Sequence, residues 1–195
     1  MILLLDNHDS FTWNLVELLR GCSKVKVIIR TPEQLRVEEL QDYDRIIFSP
    51  GPGLPYEQPA MFNVLSWIEE RQQQNRGAIP VFGVCLGMQA IAVHFGGALY
   101  NLSAVVHGQP RKLKLRHKTH PLFAGIPDES EVGLYHSWAV DPQMLPSCLE
   151  TLATTSDGTM MALAHKTLPI LGVQFHPESI MTSGGKRMME NWLEA

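Results

Sequence analysis

Two short segments of this 195-residue chain carry residue types that could do covalent chemistry together. The first is Gly83-Val84-Cys85-Leu86-Gly87-Met88-Gln89. It follows the apolar run Ala78–Phe82 and precedes a helix-like segment from Met88 to Phe95. A lone cysteine therefore stands at a strand-to-helix junction, with a glycine two residues before it and another two after. This is the nucleophile-elbow pattern with sulfur in place of the serine oxygen. The turn is tight, and a side chain at either glycine would collide with strand or helix. It holds the thiol out at the carboxyl end of the strand. The next amide, that of Leu86, lies at a helix N-terminus, where it can stabilise both a thiolate and an oxyanion.

The second segment is Gly172-Val173-Gln174-Phe175-His176-Pro177-Glu178-Ser179. His176 and Glu178, two apart just past an apolar strand, can lean towards one side, and Pro177 stiffens the pair and ends the strand. A nucleophilic cysteine needs a base close by, and that base needs a carboxylate to fix its tautomer and stabilise the imidazolium. Cys85, His176 and Glu178 would supply the three roles. Each has an ordinary reading when taken alone. A free cysteine is most often a small buried hydrophobe, a histidine at a strand end is often a satisfied side chain, and a glutamate is usually a solvated charge. The combination is far more specific than any one member.

These residues need elements to position them, and the first half of the chain reads as alternating strand and helix. Ile2–Leu5 is a continuous apolar run of the kind buried on both faces of a parallel sheet. A helix over Phe11–Arg20, a strand over Val25–Ile29 and a strand over Arg45–Phe48 follow. Thr31-Pro32-Glu33-Gln34 reads as a helix start, with threonine at the cap and proline at the first position. A helix from about Glu57 to Gln74 and the strand before Cys85 complete the pattern. The expected fold is α/β: a doubly wound, mostly parallel open sheet flanked by helices. The active crevice of such a sheet lies beyond the carboxyl ends of its strands, where both Cys85 and the loop Ser49-Pro50-Gly51-Pro52-Gly53-Leu54-Pro55 fall. The C-terminal half adds short β runs at Arg111–Leu115, Val132–Tyr135, Leu149–Thr154, Met160–His165 and Ile170–Phe175, separated by turn signals. A brief helix is expected near His120–Ala124, and a last one capped by Thr182 or Ser183 and running to about Leu193. No linker or repeat divides residues 1–195, so one domain is expected.

Composition excludes several function classes. Hydrophobic residues make up 45% and charged residues 18%, which describes a globular chain with a real core. A formal charge of −4 leaves no electrostatic footprint for nucleic acid. Cys22, Cys85 and Cys148 form neither a metal-ligand pair nor a disulfide framework, which fits a reducing cytoplasm. Asp6 interrupts the opening apolar run too early for a signal-peptide core, and no run is long enough to span a bilayer. No metal and no cofactor are expected.

Together, the Cys85 and His176 segments and Ser49-Pro50-Gly51-Pro52-Gly53 resemble the class I, triad-type glutamine amidotransferases. More narrowly, the chain is similar to the small subunits of the anthranilate and aminodeoxychorismate (4-aminobenzoate) synthases. Leu4-Leu5-Asp6-Asn7-His8-Asp9-Ser10-Phe11-Thr12, Tyr135-His136-Ser137 and His176-Pro177-Glu178-Ser179-Ile180-Met181-Thr182 carry that narrower likeness. The resemblance implies that Cys85 attacks the side-chain amide of L-glutamine, with His176 as proton carrier and Glu178 orienting it. It implies an oxyanion hole from the amides of Leu86 and of the Gly51–Gly53 loop, each such donor being worth about 3 kcal/mol. Gly51, Pro52, Gly53, Gln89, Ser137 and Trp138 would bind the substrate, and a chorismate-binding large subunit would receive the ammonia. Met88 stands where members often carry histidine, and Trp138 where the anthranilate-type subunits commonly carry leucine.

Other readings compete. A stand-alone γ-glutamyl hydrolase could use the same triad, and a flavodoxin-like binding module would need none of it. His107, His117, His120 and His165 lack metal-ligand spacing and are expected in surface or turn roles. Ser183-Gly184-Gly185-Lys186 lacks the spacing of a phosphate loop and is expected to start the last helix. Arg111, Lys112, Lys114, Arg116 and Lys118 read as a solvated strand face. Phe11 and Trp13 are candidates for a partner surface.

Overall fold

Four short strands in the first half are almost wholly apolar, and that composition dictates a position between two layers of helices. They are β1 (Ile2–Leu5), β2 (Val27–Arg30), β3 (Arg45–Phe48) and β4 (Val81–Val84). In the computed structural model, which describes residues 1–195, all four run parallel. Alternate side chains enter separate cores. Ile2, Leu4, Ile47, Phe82 and Val84 face a cluster formed with α1 (Thr12–Cys22) and α4 (Gly185–Glu194). Leu3, Leu5, Ile46, Phe48 and Val81 face a second cluster formed with α2 (Pro59–Gln73) and α3 (Leu86–His94). A strand that serves two cores has no face left for polar residues, which explains the unbroken apolar runs.

The C-terminal half widens this sheet and adds a second one. Strands β6 (Lys114–Leu115), β8 (Leu149–Thr154), β9 (Met160–His165) and β10 (Ile170–Val173) extend it to eight in the order β2-β1-β3-β4-β10-β9-β8-β6. β10 pairs parallel with β4 on one side and antiparallel with β9 on the other. The cysteine strand and the histidine strand are thus neighbours. A separate two-stranded antiparallel ribbon, β5 (Leu99–Lys112) with β7 (Glu131–Val140), slips register twice, between Asn101 and Val106 and between His107 and Gln109. The doubly wound, mostly parallel sheet with antiparallel additions is the expected architecture.

Several local expectations need correction. Thr31-Pro32-Glu33-Gln34 does not start a long helix. The Gln34 side chain accepts a hydrogen bond from the Thr31 amide, but only a turn forms, followed by a 3-10 helix over Val37–Asp42. Arg36 turns extended instead of continuing the coil, so the local cap signal is not propagated. Arg111–Leu115 is not one strand: its first residues end the long β5, and Leu113 breaks it from β6. Strands β2, β4 and β10 are shifted or shortened relative to the apolar runs, ending at Arg30, Val84 and Val173. Neither Thr182 nor Ser183 caps the last helix; the N-cap is Gly184, and Thr182 is used elsewhere.

The elbow itself is steric. A β-carbon on Gly83 would lie 2.5 Å from the Gly87 carbonyl carbon and 2.7 Å from the Met88 nitrogen, and one on Gly87 would lie 2.7 Å from Phe48 Cβ. Gly83→Ala should therefore destabilise the chain by at least about 2 kcal/mol, because backbone must move to relieve it. Gly21→Ala, in the open last turn of α1 with nothing near its β-carbon, should be neutral or slightly stabilising. Urea unfolding of the two variants beside the wild type checks the contrast.

Candidate active site

The cysteine stands in a backbone conformation that its side chain disfavours. Cys85 has φ 52° and ψ −100°, whereas α3 starts at the next residue. Such strain persists only when surroundings over-determine it. Its amide donates to the Val173 carbonyl at 2.7 Å, which ties the elbow to β10, and its carbonyl accepts from Gln89 in the first turn of α3. The Leu86 amide and the Gly53 amide donate to no protein group. Both are free donors at the rim of the same cavity.

That cavity, of about 200 Å³, is bounded by Gly51, Pro52 and Gly53, by Cys85, Leu86 and Gln89, and by Tyr135, His136, Ser137 and Trp138. It gathers every residue expected to bind substrate or stabilise an oxyanion. The glycine-proline loop is fixed from below by Asn7, whose amide donates to Ser49 Oγ at 2.9 Å and whose Nδ2 donates to the Ser49 carbonyl at 3.0 Å. Glu57 fixes it from beyond, accepting from the Leu54 amide at 2.7 Å. Ser137 and Trp138 reach the cavity through the irregular part of the β5–β7 ribbon. The Trp138 carbonyl is already occupied, by Gln89 Nε2 and by His136 Nδ1, each at 2.8 Å.

His176 and Glu178 meet behind the cysteine. His176 Nδ1 donates to Glu178 Oε1 at 2.7 Å, and the two side chains are 3% and 0% exposed. Phe11 and Tyr135 box the imidazole edge-on, with ring centroids 5.4 and 4.9 Å away. Burial alone would push the imidazole pKa down, but hydrogen bonding and charge from Cys85 and Glu178 outweigh it and raise His176 to about 10. Nε2 makes no hydrogen bond of standard geometry, yet the sulfur lies near enough to act on the ring's charge. Contacts of this kind are often loose until substrate is bound. Neighbouring His136 goes the other way: burial lowers its pKa, and the charge on His176 lowers it further. Two neighbouring histidines are thus shifted in opposite directions, His176 upward and His136 downward.

Sequence reasoning passed over the groups that hold this pair in place. Thr182 Oγ1 donates to the His176 carbonyl at 2.6 Å and accepts from the Gly133 amide at 3.0 Å, while the His176 amide donates to the Gly133 carbonyl at 3.1 Å. Thr182 therefore clamps the histidine loop to β7. Its capping-type residue chemistry was the visible signal, but its target was a distant strand and not the adjacent helix. Gln174 Nε2, 3.4 Å from Cys85 Sγ, was also passed over; its position two residues before His176 was the available clue.

The other histidines do local work. His120 and His165 accept backbone amides in their own turns, and His117 lies 3.5 Å from Glu150. The basic stretch is exposed, with Lys112 and Lys118 paired to Glu129 and Asp128. No helix is long and apolar enough to cross a membrane.

A family profile described as glutamine amidotransferase class-I matches residues 3–195. A Haemophilus influenzae protein provisionally named anthranilate synthase component II is 44% identical over 98% of this chain and 95% of its own length. The aminodeoxychorismate/anthranilate synthase component 2 of Bacillus subtilis is 39% identical over 100% of this chain and 96% of its own. Among solved structures, a Thermoplasma acidophilum protein provisionally described as one subunit of a GMP synthase superposes with a TM-score of 0.85 at 26% identity, covering 99% of this chain and 92% of that one.

The charge balance at His176 is directly measurable. In Cys85→Ala the midpoint for His176 should fall from about 10, since a group that raises it is gone while burial still pulls downward. Glu178→Gln should lower it as well. NMR titration of the imidazole resonances reads both, and a midpoint unmoved by either change would refute the pairing.

Proposed function

Because the chain belongs to the class-I glutamine amidotransferases, we propose that it hydrolyses L-glutamine to glutamate and ammonia through Cys85, His176 and Glu178 and hands the ammonia to a chorismate-binding partner subunit. The reading makes it the glutaminase component of an anthranilate synthase, with aminodeoxychorismate synthase as the sister assignment. The names of the Haemophilus and Bacillus relatives support both. The observation that carries the chemistry is the 2.7 Å His176–Glu178 bond, buried behind a cysteine at positive φ.

The reaction follows from the geometry. With its proton already on His176, Cys85 attacks as the thiolate at the side-chain amide carbon of glutamine. The oxyanion settles on the free Leu86 and Gly53 amides, fixed donors that need no reorganisation as charge develops. His176 passes the proton to the leaving nitrogen, and ammonia departs. It then deprotonates the water that hydrolyses the γ-glutamyl thioester. Glu178 keeps Nδ1 protonated, so Nε2 is the end that works. Gln89, Ser137 and Trp138 hold the amino acid end of the substrate.

The chain acts as one domain, supported by a family match that runs from residue 3 to residue 195. Three free cysteines support a reducing compartment, the cytoplasm. A partner surface is supported by Trp13, Tyr56 and Ile180, which are 63%, 63% and 100% exposed and follow closely on residues of the site.

Glutamate release from glutamine should appear, or rise strongly, when the purified chain meets chorismate together with a chorismate-binding synthase subunit. Cys85→Ser should reduce it at least about 10³-fold, as expected for loss of a covalent nucleophile. No glutamate under any of these conditions would defeat the assignment.

A further inference from the structure

Gln174 is fully buried, and its amide ends on the nucleophile. It follows β10 directly and precedes His176 by two residues, so extended backbone sends both side chains to the same side. Both arrive at Cys85, the amide with Nε2 at 3.4 Å from Sγ. The other end of the amide is spoken for: Gln174 Oε1 accepts from Gln89 Nε2 at 3.1 Å. Gln89 Nε2 is itself turned inward by the Trp138 carbonyl at 2.8 Å. The chain of bonds has one direction. The strand carbonyl demands a donor from Gln89, that donor meets Gln174 Oε1, and only the N–H end of Gln174 is left for the sulfur. An amide that merely filled this space would carry a desolvation penalty that methionine avoids.

We propose that Gln174 is a catalytic residue that donates a hydrogen bond to the charged Cys85 sulfur, and that Gln89 is a positioning residue that keeps the donor aimed. The inference rests on the triad reading. The sulfur is charged at two moments. Before attack, a donor raises the amount of thiolate but blunts its nucleophilicity, and the two effects oppose each other. During thioester hydrolysis they do not. His176 takes a proton from water, hydroxide adds to the acyl carbon, and the tetrahedral intermediate collapses with cleavage of the C–S bond. The sulfur leaves with the bonding pair and glutamate leaves as the acid. The Gln174 N–H meets that developing charge, so its benefit falls on deacylation.

The test is Gln174→Met, of similar length and apolar, studied by rapid quench with a chorismate-binding synthase subunit present: enzyme in excess gives the two rate constants in a single turnover, and excess glutamine gives the steady accumulation. The rate constant for decay of the γ-glutamyl enzyme should fall about 10-fold, as for loss of a bond to a charged group. Its formation should change less than about threefold, and quenched samples should accumulate protein heavier by one γ-glutamyl group. Equal losses in both steps would mean a displaced thiol and would overturn the proposal, as would an unchanged decay. A wild type that never forms γ-glutamyl enzyme would instead defeat the amidotransferase reading itself. Should the variant not fold, the wild type serves: the Gln174 side-chain amide resonance must shift in Cys85→Ala, and an amide indifferent to that change rules the contact out.

Discussion

Everything at the site depends on a clearance of a few ångströms. Strand β4 and helix α3 meet at Gly83 and Gly87 with no room for a β-carbon on either. The chain between them must turn within one residue, and that residue is Cys85, held at a positive φ by the crowding on both sides and by the hydrogen bond of its amide to Val173. The thiol is then presented at the carboxyl end of β4 beside an unused Leu86 amide. Strain, placement of the thiol and the free donor are one geometric fact. Relaxing the turn would surrender all three together.

The second requirement is electrostatic, and it is met with buried groups. A histidine and a glutamate with almost no exposure would be expensive singly, because each charge loses its water. Paired at 2.7 Å, they become a fixed dipole whose positive end faces the sulfur. Phe11 and Tyr135 screen the pair from solvent, so its interaction with Cys85 is not diluted. Thr182 and the Gly133 backbone then fix where the pair stands. The polar network is therefore attached to the ribbon β7 at one side and to β10 at the other, with the cavity between them.

What the sequence disclosed follows from what is local. The elbow was legible because two glycines around a cysteine encode one turn, and the parallel strands because a strand with two buried faces has no polar residues. The pair His176 and Glu178 was legible from its spacing beyond a strand. Long-range partners were not. Thr182 carries the chemistry of a helix cap, and nothing local tells that its hydroxyl joins His176 to Gly133. Thr31 and Gln34 form half of a capping interaction and still no long helix grows, because the chain turns extended at Arg36. The ribbon was undercounted because β5 is mostly exposed and irregular, so its apolar period is blurred. Gln174 was hidden by its type, since glutamine near a strand end ordinarily reads as surface.

The place of β10 has a consequence for assembly of the molecule during synthesis. The strands before it form one block ending at β4, and β9, β8 and β6 form another; the two are joined only by β10. Cys85 and Gln174 are 89 residues apart, so a growing chain emerging from the ribosome carries the cysteine and both elbow glycines long before its histidine exists. During that interval β4 is an open, apolar sheet edge, the kind of surface on which unfinished chains stick to one another. The late strand closes the edge and brings in Gln174 and His176 in one event. Closure of the apolar edge and arrival of His176 beside Cys85 therefore coincide.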